Sequence, residues 1–167
     1  MFKEEGNAKA AINLNNLINT VLALLRVDLQ RDGVRVEARL DEQLPAVTGD
    51  AIQLQQVILN LITNAADAMR SAQPRVLTIQ TSRIGDKVHV SVEDSGPGIS
   101  ETDRKRIFSP LFTTKAGGMG MGLSICRSII ENHGGRIWVE AVIGPGAVFQ
   151  FELPAADRQP ARRGLAA

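Results

Sequence analysis

Charge of one sign, cysteine and long hydrophobic runs are all scarce in this chain, and each scarcity closes off a class of function. Across 167 residues, 19 Lys+Arg face 18 Asp+Glu. No basic field is available to hold a phosphate backbone without regard to sequence, so nucleic acid is not expected as a partner. Cys126 is the one cysteine; it cannot form an internal disulfide, and no second cysteine or clustered histidine completes a metal-ligand set. The longest apolar run, around Val21 to Leu25, falls far short of the ~20 residues of a membrane span, and the N-terminus has no signal-peptide layout. A reducing, cytoplasmic setting without membrane contact fits best. Glycine, by contrast, is locally abundant: ten of 15 lie between Asp94 and Gly146, where the backbone must turn sharply or approach something closely. With 44% hydrophobic residues, the chain is the right size for one compact domain with its own core.

Periodicity divides the chain. Leu14, Ile18, Val21, Leu25 and Leu29 recur at helical spacing, with Asn13 or Asn15 available as cap and Gly33 after the end. Val34, Val36, Ala38 and Leu40 alternate with charged residues as in a half-buried strand. Asp50 with Gln53 three residues on reads as a capping box, opening a helix in which Ile52, Val57, Leu61, Ile62, Ala65 and Met69 keep the pattern apolar to about Arg70. Two strands, near 76–82 and 87–94, meet at Gly85-Asp86 as a hairpin. In the second, Val88, Val90 and Val92 share a face that ends on Asp94. A short helix capped by Ser100, an aperiodic glycine-rich stretch, a helix over about 122–132 and two strands near 136–142 and 147–153 follow. Trp138 reads as core. The economical packing is a two-layer α/β sandwich: a mixed, mainly antiparallel sheet of about five strands under about three helices.

Four segments carry chemistry. In the first, Asn60, Asn64 and Asp67 stand at i, i+4 and i+7, a polar stripe on an apolar helix; amide oxygens suit Mg²⁺, although an asparagine pair facing solvent is the plainer alternative. In the second, Asp94-Ser-Gly96-Pro-Gly98-Ile99, a carboxylate closes a strand ahead of a glycine turn and can accept a hydrogen bond from an amino group such as that of adenine. Taken singly it is also an ordinary turn. The third runs from Phe108 through Phe112-Thr113-Thr114-Lys115 into Gly118-Met119-Gly120-Met121-Gly122-Leu123. Glycines at alternating positions ahead of a helix expose backbone N–H groups where the helix dipole favours phosphate, and Lys115 either reaches a terminal phosphate or is a solvated loop lysine. The fourth, Gly144-Pro145-Gly146-Ala147-Val148-Phe149, either walls a base pocket or is simply a core strand.

In this order and spacing the four segments resemble the N box, first glycine box, phenylalanine box and second glycine box of the ATP-binding catalytic domain of two-component sensor histidine kinases, closest to the nitrogen-regulation and oxygen-sensing branch. The resemblance implies a Bergerat fold with a left-handed βαβ unit, ATP and Mg²⁺ as cofactors, and transfer of the γ-phosphoryl group to a histidine. It implies that Asn64 coordinates Mg²⁺, that Asp94 binds the adenine amino group, and that Gly96 and Gly98 shape the base pocket around Ile99. Gly118, Gly120 and Gly122 would meet phosphates. Thr113, Thr114, Lys115, Met119, Met121 and Leu123 would join them in the lid and pocket wall, with Asp67, Ala68 and Val148 nearby. Catalysis would rest on Asn60, Asn64 and Lys115.

Related ATPases carry a glutamate one turn before the metal asparagine; here that position is Asn60, and an amide cannot act as a general base near neutral pH. That favours phosphotransfer over hydrolysis. The alternatives are an ATPase of the same superfamily, an anti-sigma-like serine kinase, and a nucleotide-gated binding module without phosphotransfer. Neither His89 nor His133 sits in the helical His-Glu or His-Asp setting of a phosphoacceptor. The expected partners are therefore dimerisation and histidine-phosphotransfer helices of a parent kinase, with a response regulator downstream. Residues 1–12 read as the linker from such helices, 13–154 as the catalytic domain and 155–167 as a disordered tail. Two positions depart from the commonest pattern: Ala147 stands where many relatives have Thr or Ser, and Asp67 where many have Lys.

Overall fold

The computed structural model describes residues 9–110, 122–141 and 145–156. Asn13, and not Asn15, caps the first helix, α1 (Leu14–Arg31), by accepting from the Asn16 N–H. Asn15 instead donates to the Asp41 carbonyl and accepts from Thr81. The second helix, α2 (Ala51–Ala68), starts at Asp50, whose carboxylate accepts from the N–H groups of Ile52 and Gln53 at 3.0 and 3.1 Å. The reciprocal half of the capping box is taken over by a distant residue. Asp50 N–H donates to Nε2 of His133 at 3.0 Å, while His133 Nδ1 lies 2.8 Å from the Ile129 carbonyl. An acceptor at Nε2 requires the proton on Nδ1, so this ring is held as the neutral Nδ1–H tautomer.

Five strands form the main sheet in the order β2-β4-β5-β7-β6: β2 (Arg35–Arg39), β4 (Val76–Ile84), β5 (Lys87–Asp94), β6 (Arg136–Ala141) and β7 (Ala147–Pro154). β2 runs parallel to β4 and every other pair is antiparallel, giving the mixed, mainly antiparallel sheet that the sequence implies. The hairpin at Gly85-Asp86 closes with Ile84 opposite Lys87. Helices α1, α2 and α4 (Gly122–Asn132) pack on one face, α2 between the other two and directly over β4 and β5. The short α3 (Glu101–Arg106) begins at Ser100, which accepts from the Asp103 N–H. Leu54, Ile58, Leu61 and Ile62 from α2 meet Leu77, Ile79, Phe151 and Leu153 from the sheet, all at most 1% exposed. Burial of such side chains, ~1.5–3 kcal/mol each, is the main force holding the two layers together.

Several sequence readings are corrected. Ala10–Ile12, assigned to a linker, forms strand β1 and pairs antiparallel with β3 (Val47–Gly49). Ala155, assigned to the tail, is buried, donates to the Asp86 carbonyl and bridges Val47. The folded unit therefore extends beyond 13–154 on both sides, because two short strands and the end of β7 satisfy one another's backbone groups. Val36 is 37% exposed: β2 is an edge strand, and a groove of about 350 Å³ lies between it and α1. Ile52, in the first turn of α2, is 81% exposed. Trp138 lies on the face of the sheet away from the helices, opposite Gln150, with Arg136 stacked 4.1 Å from its ring centroid; Ile137 and Val139, on the other side of the pleat, meet the core.

Candidate functional site

Asp94 ends β5 on the same side of the pleat as Val88, Val90 and Val92, and alternation alone buries it, to 4% exposure. Its Oδ1 accepts from the Gly96 N–H at 2.8 Å. Burial pushes the carboxyl pKa above its ordinary value; the Gly96 N–H opposes this, Glu93 beside it adds to it, and the Ala147 N–H again opposes it. An anionic acceptor held by backbone donors in a largely dry setting is suited to a ligand N–H donor. Close approach of three chain segments demands glycine at two points. A Cβ on Gly96 would stand 2.7 Å from the Ala68 carbonyl oxygen, and one on Gly146, at φ +114°, would stand 2.5 Å from the Asp94 carbonyl oxygen. Gly98 packs against Gly146, and Ile99 is half-buried against the core.

The other wall is α2. Asn60 Nδ2 reaches the Gly122 carbonyl, at the first residue of α4, at 3.4 Å. Two turns on, the Ala68 carbonyl faces Gly96. Asn64, one turn from each, lies on the same helical face between them and is half-buried. Asp67, further round the helix, has its carboxylate 3.1 Å from Arg70. Cys126 is fully buried beside Val57 and Asn60, and burial raises its thiol pKa to about 11, with the Asn60 side chain pulling slightly the other way. Such a thiol is not a nucleophile near neutral pH. Among the described residues no group of three or more His, Cys, Asp or Glu could hold a metal by itself. The donor set on α2 fits Mg²⁺ of the kind that keeps few protein ligands and takes most of its oxygens from phosphate and water.

The structure thus brings Asn60 to Gly122 at the start of α4 and Ala68 to Gly96 beside Asp94, with Asn64 on the face of α2 between those two contacts; Gly98 packs on Gly146, and Ile99 and Leu123 are half-buried. It does not bring Val148 to the side of Asp94. Val148 pairs with Glu93 and Glu140, whereas Asp94 pairs with Ala147, so the pleat turns Val148 to the opposite face of the sheet. Thr113, Thr114, Lys115, Gly118, Met119, Gly120 and Met121 lie outside the described residues. Two contributions to the site were not foreseen in the sequence. Ala147 supplies backbone support to Asp94, and Met69, fully buried, receives the Ser95 N–H on its sulfur. The parity of the β5–β7 register is the signal that identifies Ala147; the Met69 contact is long-range and leaves no mark in the sequence.

Residues 49–157, from just ahead of α2 through the end of β7, match the family model described as histidine kinase-, DNA gyrase B-, and HSP90-like ATPase. The chain belongs to that family. Within it, the chain is a catalytic domain of the sensor histidine kinase type. It is 42% identical over 150 residues to the sensor protein FixL of Bradyrhizobium diazoefficiens, covering 89% of this chain and 30% of FixL. The chain therefore spans less than a third of the length of the curated relatives it matches. Among solved structures, the nucleotide-free catalytic domain of histidine kinase ThkA superposes with a TM-score of 0.80 at 40% identity, covering 88% of this chain and 95% of that one. Full-length ShkA in complex with AMPPNP superposes with a TM-score of 0.79 at 30% identity over 89% of this chain and 31% of ShkA. Among the described residues no helix is long and apolar enough to cross a membrane.

Proposed function

We propose that this domain binds Mg·ATP in the cleft between α2 and the Asp94 loop and delivers the γ-phosphoryl group to a histidine on dimerisation helices of a parent kinase. The observation that carries this reading is the buried Asp94 carboxylate, held by backbone donors beside the C-terminal end of α2, the helix whose same face carries Asn60 and Asn64. Asp94 accepts from the exocyclic amino group of the base. Asn64 offers its amide oxygen to the metal, and Asn60, tied to the Gly122 carbonyl, holds the start of α4 against α2. Bound Mg²⁺ would neutralise charge on the phosphates. Lys115 and the backbone of Gly118, Gly120 and Gly122 are assigned to the phosphate end from the sequence pattern, with Thr113, Thr114, Met119 and Met121 beside them.

Phosphotransfer is preferred to hydrolysis because the cleft has an amide, Asn60, where a general base would stand, so water is not activated. The reaction then depends on positioning and charge neutralisation. An acceptor outside these residues fits the engagement of both histidines: His89 Nε2 lies 2.6 Å from Gln150 Oε1, and His133 uses both ring nitrogens. The AMPPNP complex of ShkA supports an adenine nucleotide as ligand. The complex of ThkA with the response regulator TrrA, 37% identical to this chain over 89% of its length with a TM-score of 0.75, supports a response regulator as downstream partner. The test is incubation with γ-labelled ATP and a helical fragment bearing the phosphoacceptor histidine. Acid-labile label on the fragment, abolished by Asn64→Ala, is expected; label on serine, or free phosphate alone, would overturn the assignment.

A further inference from the structure

Ser95 follows Asp94 and ties the base end of the cleft to the connection between α2 and β4. Its hydroxyl accepts from the Val76 N–H at 2.8 Å and lies 2.6 Å from the Pro74 carbonyl oxygen. The Met69 sulfur is 3.4 Å from both the Ser95 nitrogen and its Oγ. A hydroxyl has one proton and a carbonyl oxygen is the stronger acceptor, so Oγ–H donates to Pro74 and the backbone N–H donates to Met69. Three points of the α2–β4 connection thus converge on one residue. Asp94 itself pairs with Leu77 of β4, and the Ala68 carbonyl at the end of α2 fills the space beside Gly96. The Asp94 carboxylate is therefore located relative to α2, the helix that carries Asn60 and Asn64, through the Ser95 clasp.

We infer that Ser95 is a positioning residue for base recognition: its hydroxyl sets the Asp94 carboxylate at the distance from α2 that lets one nucleotide reach both. The inference rests on the reading of Asp94 as acceptor of the base amino group. A hydrogen bond to that group is steeply directional, so a small shift of Asp94 weakens it. Phosphate contacts on α2 and α4 do not pass through Ser95. Loss of the hydroxyl therefore weakens ATP selectively and spares purine riboside triphosphate, which lacks the 6-amino group. A residue that only supported the fold would weaken both nucleotides together.

Calorimetric titration of the domain with Mg·ATP and with Mg·purine riboside triphosphate tests this. Wild type is expected to prefer ATP. Ser95→Ala should lose about tenfold in ATP affinity with the analogue unchanged, and Ser95→Thr, which keeps the hydroxyl, should restore the preference. Where Ser95→Ala does not fold, Ser95→Cys takes its place with the same selective loss expected. Asp94→Asn separates the two layers of the argument. If Asp94→Asn abolishes the preference while the Ser95 variants keep it or lose both nucleotides equally, the Ser95 role is wrong and the base reading stands. If Asp94→Asn leaves the preference intact, the base reading fails and this inference fails with it.

Discussion

Burial gives the Asp94 carboxylate opposite effects on stability and on binding. Its folded pKa lies above the reference value of 3.8 because burial disfavours the charged form. The folded state then holds the proton more tightly than the unfolded chain, so the contribution of this group to stability is full below 3.8 and is lost as pH rises through the raised value. Nucleotide binding needs the ionised acceptor. ATP affinity is expected to fall as pH drops through the raised carboxyl value, sooner than an exposed aspartate would allow; in Asp94→Asn that component should vanish, leaving only the phosphate titration common to both. At neutral pH Asp94→Asn should cost about 1.5–3 kcal/mol of binding, the worth of a hydrogen bond to a charged group, with the thermal midpoint retained; an unchanged affinity by calorimetry would refute the base assignment. Gly146→Ala tests the loop itself: at φ +114° with the Asp94 carbonyl 2.5 Å from the new Cβ, it should lose ~1–3 kcal/mol in urea denaturation. The burial of Asp94 at the end of β5 and the shared face of Asn60 and Asn64 on α2 were legible in the sequence because pleat alternation and helical spacing are local rules. Val148 was misplaced because only the strand register decides which side of β7 faces Asp94, and register is a pairing between distant segments.

Secondary elements show the same division between local and distant causes. The α2 cap at Asp50 and the two-residue hairpin are written in neighbouring residues, and the structure has them where the sequence puts them; of the two asparagines offered for the α1 cap, it takes Asn13. β1 and β3, three residues each, have too little length for a pattern and exist through each other and Ala155. His133 is the clearest case of an element finished from afar. A single neutral ring joins the C-terminal end of α4 to the N-cap of α2, and Gly49 leaves the room, since a Cβ there would stand 2.5 Å from the imidazole. His133→Ala removes the acceptor of the Asp50 N–H and the donor to Ile129. The expected loss is ~1–3 kcal/mol in urea denaturation, with α2 amides near the cap exchanging faster with solvent; unchanged protection at Ile52 and Gln53 would show that water replaces the ring without cost.

At the scale of the whole molecule, the proposed ligand bridges elements that already share one core. α2 packs on β4 and β5, α4 packs on α2, and Asp94 closes β5, so a nucleotide held at both Asn64 and Asp94 stabilises the folded unit as a unit. A ligand that binds only the folded state adds RT ln(1 + [L]/Kd), about 2.7 kcal/mol at a hundredfold excess over Kd. For a chain of this size that corresponds to a rise in Tm of about 5–11 °C. Because Mg²⁺ is assigned to Asn64 with the phosphates completing its shell, a chelator should remove a large part of the shift for wild type and none for Asn64→Ala, which has already lost it. Asp94→Asn should instead shrink the shift while leaving its dependence on Mg²⁺ in place. Differential scanning calorimetry across these three proteins separates the two ends of the cleft: a chelator effect that survives in Asn64→Ala would put the metal elsewhere, and a full shift in Asp94→Asn would detach the base from β5.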